Sequence, residues 1–103
     1  MTHETTIKVN GHKFRFSFCT QAFYNLSQKY GCDMAGVFEH AGKDWVMYFC
    51  DIVWEAANVC PENDMKKLPD KAITWIDQID PKDAKLLSDA HQNSKILGKP
   101  IQG

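Results

Sequence analysis

Asn10-Gly11 is the feature that most narrows what this chain can fold into. Both central residues of a two-residue type I′ turn need positive φ, which Asn and Gly tolerate, and the stretch TTIKVNGHKFRFSF alternates apolar with polar residues on either side. A loop of that length sets the register, with Val9 opposite His12, Ile7 opposite Phe14 and Thr5 opposite Phe16. One face of the hairpin then carries Ile7, Val9, Phe14, Phe16 and Phe18, and the other Thr6, Lys8, Lys13, Arg15 and Ser17. A lone hairpin is barely stable in water, so the phenylalanine face must lie on helices or pair with a further strand.

Helix signals fill the rest of the chain. Thr20 is placed to cap a helix through Tyr30 that Gly31 ends, and Asp33 a short helix holding Met34, Val37 and Phe38 that Gly42 ends. Asp44 opens the run WVMYFCDIVWEAANV, which must stop before Pro61. Its hydrophilic positions Asp51, Glu55 and Asn58 recur at i, i+4 and i+7, a narrow stripe on an otherwise apolar cylinder that other elements must cover on most sides. The polar stretch PENDMKKLPD is expected to be a mobile loop. From Asp70 a helix is expected with Ala72, Ile73, Ile76 and Ile79 on one stripe and Trp75 pointing elsewhere. Asp80-Pro81 is an N-cap followed by proline at the first helical position, opening a last helix to about Leu97 with Ala84, Leu87, Ala90 and His91 inward. The expected fold is α+β: one mainly helical domain over residues 1–97, an N-terminal antiparallel β-hairpin packed on about four helices, then a disordered tail over 98–103.

At 103 residues a chain buries about 65% of the surface its unfolded form exposes, enough for one modest core. Lys and Arg nearly cancel Asp and Glu, leaving a net charge of −1 and no electrostatic footprint for nucleic acid or an anionic membrane. Asp51 and Glu55 interrupt the apolar run far short of the ~20 residues a spanning helix needs. MTHETTIKVN carries no basic region followed by an apolar run, so the expected site of action is cytosolic. Cys19, Cys32, Cys50 and Cys60 form no CxxC pair and are expected as reduced thiols.

No motif for catalysis stands out. The glycines fall at turns, caps and the terminus, with Gly36 alone inside a helix, so no phosphate loop is present. A zinc set of Cys32, His40, Cys50 and Cys60 is arithmetically available, but its members do not come in close pairs. No catalytic residue, cofactor or metal ligand is assigned. The aromatic residues carry more weight. Trp45, Tyr48, Phe49 and Trp54 share the central helix and Trp75 lies beyond it, while the hairpin adds three phenylalanines to the same small core. Trp and Tyr are preferred anchors at interfaces. Those five residues are the candidate protein-binding positions, with Trp45, Tyr48 and Trp75 leading, and each would also serve as ordinary core.

The order of elements resembles a known family. A strand pair reading IKVNGHKFRFSF, a helix TQAFYNLSQKYG, a short CDMAGVFEH segment, a long apolar helix and a polar loop leading to LPDKAITWIDQI are similar to the small tail assembly chaperones of long-tailed bacteriophages and prophages. The similarity spans roughly residues 5–80; the central helix is more aromatic than the family pattern, and the helix from Pro81 has no counterpart in it. The resemblance implies a non-enzymatic protein of the bacterial host cytoplasm, absent from the mature virion. Its partners would be the tape measure protein, which such chaperones coat and keep soluble, and the tail tube protein. Self-association into a homo-oligomer is expected beside these, through either the free hairpin edge or the aromatic face of the central helix. The family has no catalytic residues to carry over. Two other classes remain: a small adaptor or regulatory subunit unrelated to phage, and a thiol or zinc enzyme.

Overall fold

The computed structural model describes residues 2–100. Strands β1 (Glu4–Val9) and β2 (His12–Ser17) form an antiparallel pair in the register expected, Val9 with His12, Ile7 with Phe14 and Thr5 with Phe16. Asn10 and Gly11 take φ of 51° and 81°, the left-handed values of a type I′ turn. All five residues of the phenylalanine face are buried.

Four α-helices follow among the described residues: α1 (Thr20–Tyr30), α2 (Met34–Lys43), α3 (Trp45–Asn58) and α4 (Pro81–Gln92). The chain is α+β and mainly helical, with the hairpin at its start. Capping sets most of the boundaries. The Asp33 carboxylate accepts from the Gly36 N–H, Asp44 from Met47 and Asp80 from Lys82, each meeting a donor of the first turn that has no partner inside the helix. Gly31 ends α1 at φ 67°, with its own N–H on the Gln28 carbonyl and that of Cys32 on Ser27. At Gly36 a Cβ would stand 2.7 Å from that of Cys32, so only glycine lets α2 start against that side chain.

The core lies between the hairpin and α3. Helix α3 packs on β2, α1 and α2, and α4 packs on β1. From Ile52 onward α3 is sheathed: Ile52, Val53, Ala56 and Ala57 are fully buried under the hairpin's phenylalanines and α1. On the hydrophilic stripe of α3, Asn58 is exposed while Asp51 faces α1, accepting from the Tyr30 hydroxyl at 2.6 Å and from Lys29 at 3.4 Å. Glu55 is buried on the same stripe, and desolvation holds its carboxyl above the usual range.

Several expectations are corrected. Thr20 does not cap α1; Cys19 takes the N-cap position without a side-chain bond, and the Thr20 hydroxyl accepts the Leu97 N–H at 2.6 Å. Helix α2 runs through Gly42 to Lys43. The segment 70–79 is not one helix but two 3-10 turns, Ala72–Thr74 and Ile76–Gln78, on either side of Trp75. Side chains three apart eclipse in a 3-10 turn, and this brings Ala72 and Trp75 inward together while Ile73 is left exposed. Helix α4 stops at Gln92, with Ala84 exposed. Beyond it the Lys95 N–H bonds the Phe18 carbonyl, and β3 (Lys95–Ile96) turns through Leu97 and Gly98 onto β4 (Lys99–Pro100). Of the expected disordered tail over 98–103, Gly98 thus lies in the turn and residues 99–100 have paired backbone; 101–103 lie outside the described residues.

The polar stretch from Pro61 is anchored as well. Asn63 lies against the open edge of β2, its Oδ1 accepting the Arg15 N–H at 2.9 Å and its Nδ2 donating to the Arg15 carbonyl at 2.7 Å and to that of Ala57 at 2.8 Å. One side-chain amide thereby does for that edge what a neighbouring strand would do. Among the described residues no helix is long and apolar enough to cross a membrane.

Candidate functional site

Helix α3 sheds its cover toward its N-terminus. Trp45 is 53%, Val46 57% and Met47 40% exposed, an unusual run of large apolar side chains open to solvent. Successive residues point about 100° apart around a helix, so the three diverge onto two surfaces.

On one side a groove of about 420 Å³ runs between α3 and the segment after Asp70. Buried Cys50 and Ala72 form its floor, and Val46, Met47 and the 58% exposed Ile73 form its walls. Charges border it, with Lys29, Asp51 and Asp44 from the helical side and Asp70 and Lys71 from the facing segment. The walls exist because Ala72 and Trp75 turn inward and leave Ile73 as the outward residue of the same 3-10 turn. An apolar trough with polar ends is the form that receives the apolar face of a helix.

On the other side four rings close around His91 of α4. Trp45, Tyr48 and Phe49 of α3 and Phe18 beyond β2 stand 5.5 to 5.7 Å from the imidazole centroid, each nearly edge-on. His91 Nε2 and the Tyr48 hydroxyl share a buried hydrogen bond of 2.9 Å. Burial pushes His91 down to about 4 and pushes the Tyr48 phenol up, so both are neutral near pH 7. Trp45 stacks on Phe49 at 5.8 Å and forms the outer wall of this box.

The five sequence-predicted anchors therefore separate. Tyr48 and Trp75 are both 1% exposed and belong to the core: Tyr48 because its hydroxyl has a buried partner, Trp75 because its ring packs on Phe16 at 6.4 Å and its Nε1 reaches the Pro69 carbonyl at 3.4 Å. Phe49 and Trp54 are partly buried against the core, and the Trp54 Nε1 has no partner among the described residues. Trp45 alone of the five is open to solvent. Val46, Met47 and Ile73 were missed by sequence reasoning. Met47 offered a signal of its own, since an unbranched, polarizable thioether suits adaptable binding surfaces.

Other chemistry is not gathered here. Among the described residues no three His, Cys, Asp or Glu side chains are placed to hold a metal ion, so Cys32, His40, Cys50 and Cys60 do not form one cluster. Desolvation pushes the Cys50 and Cys60 thiols up, away from the thiolate form. Fold and groove together describe a small α+β domain with an open apolar trough. No protein-family model, no curated protein and no solved structure matches the chain.

Proposed function

We propose that this protein is a non-catalytic binding chaperone that takes apolar helical segments of a client into the groove of α3, in the manner of the phage tail assembly chaperones it resembles. The client on this reading is the tape measure protein, held in the host cytoplasm before tail tube subunits assemble around it. The observation that carries the reading is the groove walled by Val46, Met47 and Ile73 over a buried floor of Cys50 and Ala72. An amphipathic client helix laid in this trough would cover side chains that otherwise face water, with its polar flanks near the bordering lysines and aspartates. Each contact is small, and a long client with repeated segments gains by engaging many copies at once.

Co-expression tests this. A tape measure protein encoded in the same genome should move from the pellet to the soluble fraction when this chain is produced with it, and should co-purify at several copies per client. A client that remains insoluble at equal expression would overturn the chaperone reading in favour of an adaptor with a different partner.

A further inference from the structure

The two edges of the hairpin are treated differently. On β2 the Asn63 amide occupies the outward N–H and C=O of Arg15, the middle outward residue of that strand. Arg15 pairs with Thr6, so Thr6 and its alternates Glu4 and Lys8 direct their own N–H and C=O away from β2. Along that edge the Thr6 and Lys8 backbone groups have no partner among the described residues, and the Glu4 N–H reaches only the exposed Thr2 Oγ1 at 3.2 Å. Such an edge is a template for another strand.

We infer that β1 is the self-association edge of this protein and pairs antiparallel with β1 of a second copy, centred on Thr6. The inference does not rest on the proposed function. Its support is charge complementarity in a single register: with Thr6 opposite Thr6 of the copy, Glu4 falls opposite Lys8 and Lys8 opposite Glu4, all on the outer face. The outward backbone groups of Glu4, Thr6 and Lys8 meet those of Lys8, Thr6 and Glu4, so the hydrogen-bonding pattern and the charge pattern agree on the same alignment. Lys8 sits directly opposite Lys13 within the hairpin, a like-charge pair, and neither lysine is in an ion pair among the described residues. A carboxylate arriving on the other flank of Lys8 offsets that repulsion. Glu4 already holds Arg15 at 2.7 Å, and Arg15 holds Glu62 at 2.7 Å. The lysine of the second copy would extend this alternation of charge by one step.

Two shallow clefts of about 210 and 290 Å³ lie along β1 where α4 flanks it; Glu4, Thr5 and Leu86 line the first, and Thr6, Lys8 and Asp83 the second. Leu86 is 44% exposed in this cleft, and a strand added to β1 would cover it. The geometry is two-fold and closed, so it yields a dimer with one continuous four-stranded sheet rather than a filament.

Sedimentation of the purified full chain over a range of concentration tests this. Wild type is expected as a dimer in exchange with monomer. Thr6→Pro removes the central N–H from a position where an edge strand tolerates proline, so its circular dichroism and melting should match wild type while it sediments as monomer. Lys8→Glu sets Glu against Glu across the pair and Glu4→Lys sets Lys against Lys, so each alone should weaken dimerisation at least tenfold. An equimolar mixture of Lys8→Glu and Glu4→Lys chains restores both opposite-charge pairs, and should sediment as a heterodimer. Wild type that stays monomeric at the highest concentration, a folded Thr6→Pro variant that dimerises as well as wild type, or a mixture no more associated than its components would overturn the inference.

Discussion

The two halves of α3 differ in what covers them rather than in what they are made of. Both halves are rich in large apolar side chains, yet Ile52, Val53, Ala56 and Ala57 are fully buried while Trp45, Val46 and Met47 stand in solvent. The hairpin's phenylalanines and α1 close over the second half. Over the first half, the segment after Asp70 approaches but leaves a trough. Hydrophobic content alone thus does not distinguish core from exposed surface; the cover supplied by other elements does.

The largest expected effect falls in the sheathed half. Val53→Asp places an unpaired carboxylate where no water reaches, and should cost on the order of 4 kcal/mol or more, enough to abolish a cooperative thermal transition. A Val53→Asp protein that melts like wild type would erase the difference between the halves.

The junction with α4 gives the next effect, read through pH. His91 is held neutral in the fold, with its ionisation pushed down from 6.5 to about 4 by burial. Between those values the unfolded chain takes up a proton that the folded chain does not, so stability falls as pH drops from about 6.5 to about 4. The full contribution is present above that window, and at ~1.4 kcal/mol per pH unit it amounts to about 3 kcal/mol. Burial is the cause of that shift, and the four rings facing His91 are uncharged near pH 7. Urea midpoints across that window should fall steeply for wild type and less for His91→Gln; equal slopes would show that His91 is not the responsible group.

Tyr48→Phe should be smaller. It keeps the ring packing and removes the hydroxyl that meets His91 Nε2, leaving a buried nitrogen without its partner at a cost of about 1–3 kcal/mol. Chemical denaturation at pH 7 measures this, and an unchanged midpoint would mean that water replaces the hydroxyl.

The hairpin was legible to the residue because Asn10-Gly11 and the alternation around it specify the same register independently. Helices with an aspartate cap, at Asp33, Asp44 and Asp80, were legible at their starts for a similar reason: a local side chain meets a local donor. The region from Pro61 to Ile79 was not. Asn63 is held by Arg15, distant in the chain, and Trp75 turns inward to reach Phe16, and neither contact leaves a local pattern. The groove inherits that difficulty. Its α3 wall lies on a helix the sequence located, but Ile73 reads as inward at α-helical spacing and becomes outward only in the 3-10 turn that forms instead. Trp45, Tyr48 and Phe49 could be placed on one helix from sequence, whereas their closure around His91 depends on how α4 docks.

Met47→Asp tests the central claim most directly, because it alters a groove wall that is already exposed. The account predicts a melting temperature close to wild type, within about 0.5 kcal/mol of stability, together with loss of the ability to keep a co-expressed tape measure protein soluble. A variant that melts normally and still solubilises the client would contradict it.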